Sequence, residues 1–259
     1  MSDAEHSELV STLADGVLHV CMNRPEKKNA FTEAMYGTFA RLLGDADALD
    51  DIRVVLVSGA AGTFTAGNDL GDFLEHPPTG DDAKVFGFLT AITRLQTPIV
   101  AAVRGAAVGI GTTMLQHMDL VYAADNARFS LPFVNLGLCP EAASSLLLPR
   151  QMGHARAAEL LLLGKPFDAA TAQAAGLVTG ICADADVEAT AMEVARALAR
   201  KPPEAVRVTK ALMRRWDREH IERAIAIEGE AFVRQLQSAE AKAAFSAFLG
   251  RKGGPRESK

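Results

Sequence analysis

Apolar positions along the chain change period several times, and each change marks an element. Residues 16–22 and 53–57 carry short aliphatic, β-branched runs of the kind that form strands covered on both faces. Between them, Met35, Phe39, Leu42 and Leu43 recur three or four apart, which predicts a helix over 32–43 with one apolar face. A second helix is expected over 82–95, ended before Pro98, and then strands over 99–103 and 120–123. From residue 141 the pattern turns helical: 141–148 (stopped by Pro149), 155–163, 169–174, 187–200, 203–216, 221–237 and 239–249, with a short strand inserted over 177–182. Strands interleaved with helices, followed by a helical final third, predict a layered α/β core with helical additions.

Composition narrows the picture. With 259 residues, 49% of them apolar, the chain has enough material for one large core, and no repeat or low-complexity linker divides it. A net charge of −5 gives no basic surface for nucleic acid. Arg251, Lys252, Arg256 and Lys259 gather near the end and read as a solvated tail. Cys21, Cys139 and Cys182 are far apart and form no CxxC pair, so neither a disulfide framework nor a zinc site is expected. The six histidines lack ligand-like spacing, and no metal is expected. Residues 1–13 are polar and acidic, unlike a secretory signal, and the apolar stretch 97–118 is broken by Arg104 and several glycines, unlike a membrane span. Glu257-Ser258-Lys259 does not match a peroxisomal address; the expected location is cytoplasmic.

Three segments carry candidate chemistry. Residues 64–70 (Phe-Thr-Ala-Gly-Asn-Asp-Leu) follow one strand, and residues 105–111 (Gly-Ala-Ala-Val-Gly-Ile-Gly) follow another and open a short helix. Small residues at strand-to-helix turns admit close backbone approach and leave N–H groups unpaired. Two such turns can aim two donors at one anionic oxygen, an oxyanion hole, although glycine turns after buried strands also arise for geometry alone. Neither turn matches a phosphate loop or GxGxxG. In the third segment, Pro140 suits the first position of a helix with Glu141 in its first turn. The helix dipole favours an acid there without any further role; an apolar setting would raise its pKa and make it a base.

Taken together, these segments resemble the enoyl-CoA hydratase/isomerase (crotonase) superfamily from about residue 17 to 249. Met22-Asn23-Arg24-Pro25 with Asn29-Ala30 looks like its N-terminal signature, 66–70 like its first oxyanion loop, and 102–111 like its second. The resemblance implies an α/β fold, a crotonase-like spiral of ββα units over 1–200, and a helical C-terminal trimerisation region over 201–259. It implies an acyl-CoA thioester substrate, no cofactor beyond the coenzyme A of the substrate itself, and a homotrimer or dimer of trimers. Carried across by position, the oxyanion donors are the N–H groups of Asn68 and Ile110. Lys28, Ala30, Ala66, Gly67, Asn68, Asp69, Leu70, Gly109 and Phe133 would border CoA or substrate. For Arg251 or Lys252, contact with a CoA phosphate across a subunit boundary is the alternative to a solvated tail, and residues 72–82 read as a loop beside the first oxyanion turn, either shaping the acyl pocket or serving as a plain solvated connection.

Departures from the pattern bear on the reaction. Family hydratases carry two glutamates where this chain has Thr113 and Phe133, so hydration by two acids is disfavoured, and replacing Thr113 is expected to matter little. Residues 131–145 are similar instead to the peroxisomal-type Δ3,Δ2-enoyl-CoA isomerases, in which the glutamate after the proline is the base. That position is Glu141. The reading is an isomerase in which Glu141 takes a proton from C2 and returns it at C4. Hydratase or other acyl-CoA chemistry on the same fold, and an acyl-CoA-binding protein without catalysis, are the alternatives.

Overall fold

Strands buried on both faces need helices above and below them, and that requirement organises the chain. The computed structural model describes residues 7–75, 77–78 and 83–252, with side chains up to 247. The strands are β1 (Leu9–Ala14), β2 (Val17–Met22), β3 (Val54–Gly59), β4 (Ile99–Val103), β5 (Ala106–Val108), β6 (Leu120–Ala124), β7 (Arg128–Ser130), β8 (Phe167–Asp168) and β9 (Gly180–Cys182). The helices are α1 (Glu33–Ala48), α2 (Leu70–Glu75), α3 (Lys84–Arg94), α4 (Ile110–Thr113), α5 (Ser144–Met152) and α6 (His154–Leu163). They continue with α7 (Ala169–Ala174), α8 (Val187–Ala199), α9 (Pro203–Arg214), α10 (Arg218–Leu236) and α11 (Ala239–Lys252).

A six-stranded sheet runs β1-β2-β3-β4-β6-β9, and a three-stranded sheet runs β5-β7-β8. Only the β1–β2 pair is antiparallel in the large sheet. Successive units send one strand to each sheet: β4 then β5, β6 then β7. This ββα alternation is the expected spiral. Every residue of β3 and β4 is buried, with α8 lying against both. On α1, Phe39 stacks among Phe31, Tyr36 and Phe88, with the Phe39–Phe88 ring centroids 5.1 Å apart. Thr32 caps that helix by accepting the Met35 N–H at 3.2 Å and donates to Glu8 at 2.7 Å.

The C-terminal helices pack on this core. Lys210 of α9 is buried and donates to Asp119 at 2.7 Å and to the Thr97 carbonyl at 2.8 Å. Charge-assisted bonds of this kind are what make a buried lysine tolerable. α10 packs against α3 and α5. No helix among the described residues is long and apolar enough to cross a membrane.

Several elements differ from the sequence expectation. β1 was not foreseen, because only Leu9 of its six residues is fully buried and an edge strand of this kind shows no apolar run. The small sheet was also missed: its strands are two or three residues long, and β5 lies inside what reads as a glycine turn. The strand expected over 177–182 shrinks to β9, with Leu177 and Val178 buried in the preceding turn. α5 starts at Ser144 instead of 141, since Ala142 and Ala143 are both left-handed with φ of 58°. It then runs through Pro149, giving up one backbone bond, and ends at Gly153. Residues 79–82, part of the expected loop, and the side chains of Arg251 and Lys252 lie outside the described residues.

The aromatic cluster sets a measurable cost. Phe39→Ala is expected to lower unfolding stability by about 3–5 kcal/mol, read from urea denaturation, because the fully buried ring leaves a cavity.

Candidate active site

Two backbone segments meet where the sheets come together. After β3 the chain turns and pairs with β5 through a parallel bridge, Thr65 with Ala107. Thr65 N–H donates to Ala106 O at 2.9 Å, and Val108 N–H to Thr65 O at 3.1 Å. The glycines are dictated by this approach: a Cβ on Gly67, whose φ is +87°, would sit 2.8 Å from the Val108 carbonyl oxygen, and one on Gly111 would meet the Thr65 methyl at 2.4 Å.

The same strapping leaves two donors unused. Phe31 pairs with the first loop by donating to Gly67 O and accepting from Asp69 N–H, both at 2.8 Å, which bypasses the N–H of Asn68 between them. Gly109, at φ +56°, swings the chain into α4, so the N–H of Ile110 is the first, unpaired donor of that helix. Among the described residues neither N–H has a hydrogen-bond partner. Each lies three residues beyond the Thr65–Ala107 bridge along its own segment.

Asn29 holds this arrangement. It is fully buried and left-handed at φ 56°. Its side chain accepts from Arg24 N–H at 2.9 Å and donates to the carbonyls of Ala60 at 3.0 Å and Thr63 at 2.6 Å. Tyr36 donates to the Asn68 side chain. Asp69 turns toward Arg24 at 3.1 Å; burial alone would push its carboxyl up, but hydrogen bonds from Arg24 and the Gly71 N–H, with the Arg24 charge, hold it below its ordinary value.

Glu141 is buried, 8% exposed. Burial first, then the nearby Glu228 carboxylate, raise its pKa from 4.5 to about 8 against a smaller lowering by the Thr113 hydroxyl. Its Oε1 has no hydrogen-bond partner. The cleft before it is apolar, lined by Phe73, Val85, Phe86, Leu89, Ile225 and Phe232. Burial also raises Tyr36 well above the phenol range, with the Glu141 charge adding to it. His117, wholly buried, is pushed down to about 4 by desolvation and donates to the Ala142 carbonyl at 2.8 Å.

Among the residues singled out in sequence, Asn68, Ile110, Gly67, Gly109, Ala66, Lys28 and Ala30 fall on this one assembly. Ala66 N–H bonds the Lys28 carbonyl at 2.9 Å. Leu70 opens α2. Phe133 is buried but is not among the residues lining the cleft, whose apolar wall comes from α2, α3 and α10 instead. Thr113 touches Glu141, so this position bears on the acid more than its sequence suggested. Sequence reasoning missed Asn29 as a strut, and it missed Glu228. The signal for Glu228 was present: an acid within the apolar stripe Ile221, Ile225, Phe232 and Leu236 of α10. Among the described residues no group of three His, Cys, Asp or Glu side chains is placed to hold a metal.

The raised carboxyl has a thermodynamic signature. Between pH 4.5 and about 8 the folded chain keeps a proton on Glu141 that the unfolded chain releases, so stability falls as pH rises through that window. Glu141→Gln should remove this loss: its melting temperature should exceed that of the native chain above pH 8, with the difference shrinking toward pH 4.5. Comparing the two proteins cancels His117, which acts on both alike.

Comparison with known proteins places this geometry. A family profile described as enoyl-CoA hydratase/isomerase matches residues 12–256. Human "Enoyl-CoA delta isomerase 2" is 36% identical over 251 residues, covering 94% of this chain and 64% of that protein. The chain thus spans a little under two thirds of that relative's length. "Mevalonyl-coenzyme A hydratase sidH" from Aspergillus fumigatus is 32% identical, covering 90% of this chain and 87% of that one. A solved enoyl-CoA hydratase/isomerase from Pseudoalteromonas atlantica superposes with a TM-score of 0.91 at 42% identity, covering 97% of this chain and all of the other. The profile match over nearly its whole length, and the shared ββα spiral, show that the chain belongs to the enoyl-CoA hydratase/isomerase family and has the crotonase fold.

Proposed function

We propose that the protein is an enoyl-CoA isomerase, moving a 3-enoyl-CoA double bond to the 2-trans position. The observation that carries this reading is Glu141: a buried acid with a raised pKa that, unlike its neighbour Glu228, keeps an oxygen uncommitted and faces an apolar cleft. A base working near neutral pH is most effective with a pKa close to the working pH.

In this mechanism the thioester oxygen lies between the N–H groups of Asn68 and Ile110. Lys28, Ala30, Ala66 to Leu70, and Gly109 border the CoA. The Glu141 carboxylate takes a proton from C2, and the electron pair of that C–H bond delocalises over the thioester oxygen and the C3–C4 double bond as a dienolate. The two N–H donors, fixed before the substrate arrives, stabilise the developing oxyanion, each typically worth about 2.7–4 kcal/mol. Protonated Glu141 then delivers the proton to C4, the double bond settles between C2 and C3, and the carboxylate is regenerated. Water takes no part, which suits an apolar cleft.

Hydration is the second reading, favoured by the hydratase relative. It needs two acids sharing one water. Thr113 and Phe133 occupy the places that would supply them, and the carboxylate beside Glu141, that of Glu228, has both oxygens engaged by Ala143 and Ser145. Assembly as a trimer is part of the proposal. Val208, Leu212, Met213 and Trp216 present a large exposed apolar surface on and just after α9, of the kind that marks a protein contact.

The test follows ultraviolet absorbance of the conjugated product from a 3-enoyl-CoA, beside water addition to a 2-enoyl-CoA. Isomerisation without hydration is expected, and the reverse result overturns the assignment. Glu141→Gln should lower isomerase turnover by about 10²–10⁴-fold while CoA binding persists; activity within severalfold of the native enzyme removes Glu141 from the role. Because the ionised form is the base, kcat/KM should rise with pH and level off above about 8.

A further inference from the structure

Glu228 interrupts an otherwise apolar helix face, and burying a carboxylate there is costly unless its hydrogen bonds compensate. It is 7% exposed. Both of its oxygens engage the segment that carries Glu141: Oε2 accepts the Ala143 N–H at 2.6 Å, and Oε1 accepts the Ser145 N–H at 2.9 Å and the Ser145 hydroxyl at 2.5 Å. Ala143 and Ala142 are the two left-handed residues that turn the chain between Glu141 and α5, a conformation that residues with a Cβ seldom adopt without support. On the other side, His117 donates to the Ala142 carbonyl at 2.8 Å. The turn is thus clamped from α10 and from the segment after α4, and Glu141 projects from it into the cleft.

We propose that Glu228 is a positioning residue for Glu141: from the C-terminal helix it holds the Ala142–Ala143 turn in the conformation that aims Glu141 at the substrate, and its carboxylate, when ionised, puts a negative charge beside the acid it positions. The inference rests on Glu141 being the base. A neutral acceptor would satisfy a free N–H as well; burial raises the pKa of Glu228 itself, the hydrogen bonds from Ser145 and Ala143 favour its ionised form, and once ionised it adds repulsion that strengthens the neighbouring base. The other groups facing Glu141 are Thr113 from α4, Tyr36 from α1 and Cys139 from its own loop. Tyr36 and Cys139 are raised by burial and stay uncharged near neutral pH, and the neutral Thr113 hydroxyl lowers Glu141, so Glu228 is the group among these that pushes Glu141 upward by charge.

The test is Glu228→Gln, which keeps the size, removes the charge and turns an NH2 group toward a backbone donor. The ionisation of Glu141 is read on substrate-free enzyme from its infrared carboxyl band, and kcat and KM are followed against pH. The Glu141 titration and the acidic limb of kcat/KM should both move down by about one pH unit, with kcat falling about tenfold and KM within about twofold of native. A native titration with native kcat overturns the proposal, as does a change confined to melting temperature. Should that variant not fold, Glu228→Asp carries the test: the charge stays and the reach shortens, so the acidic limb holds while kcat falls, and an unchanged kcat overturns it. Failure of the isomerase reading is separable. It would show as turnover surviving Glu141→Gln, whereas the infrared titration reports the Glu228–Glu141 coupling without substrate.

Discussion

Everything at the site depends on the close approach of two backbone segments at the Thr65–Ala107 bridge. Where those segments run side by side their polar groups bond each other, and three residues further along each, the N–H groups of Asn68 and Ile110 have no partner among the described residues. Side chains would prevent the approach, so the glycines at 67 and 111 are conditions of the geometry. Asn29, fully buried, ties the N-terminal signature to the same place through the Ala60 and Thr63 carbonyls. Rigid donors of this kind lose little reorganisation energy when charge develops in front of them, and the proposed chemistry uses that property.

At Glu141 the fold accepts a cost. A carboxyl with an unpartnered oxygen in an apolar cleft is an unfavourable group to bury, and the compensation is distributed: the Thr113 hydroxyl, which lowers its pKa, a turn braced by His117 and Glu228, and aromatic packing around the cleft. Such local conflict with ordinary burial rules is characteristic of functional sites. The asymmetry between the two neighbouring acids is informative. Glu228 has three hydrogen bonds to hold it in place, while Glu141 keeps an oxygen uncommitted. In the proposed reading one carboxylate is architecture and the other is reagent.

The C-terminal helices belong to the site as well as to any assembly. α10 contributes Ile225, Glu228 and Phe232 to the cleft, and α9 is anchored to the core through Lys210 and Asp119. The resemblance implies a trimerisation region over 201–259, and among its described residues α10 also lines the cleft at Glu141.

The strongly periodic elements were legible in sequence. The buried strands at 54–57 and 99–103, the helix α1 and the helical final third follow directly from apolar spacing, because burial on one face or on both leaves a repeating mark in the residues themselves. The glycine-rich turns and the acid after Pro140 were also visible as residue types. What tertiary structure alone decided was orientation and company. The left-handed Ala142–Ala143 turn, a conformation alanine rarely adopts by itself, is held by a histidine 25 residues upstream and a glutamate 85 residues downstream. The pKa of Glu141 comes from desolvation by segments scattered across the chain. Local sequence records the period of burial, but not which distant group arrives to satisfy or leave unsatisfied a buried polar atom, and the chemistry here resides in that pairing.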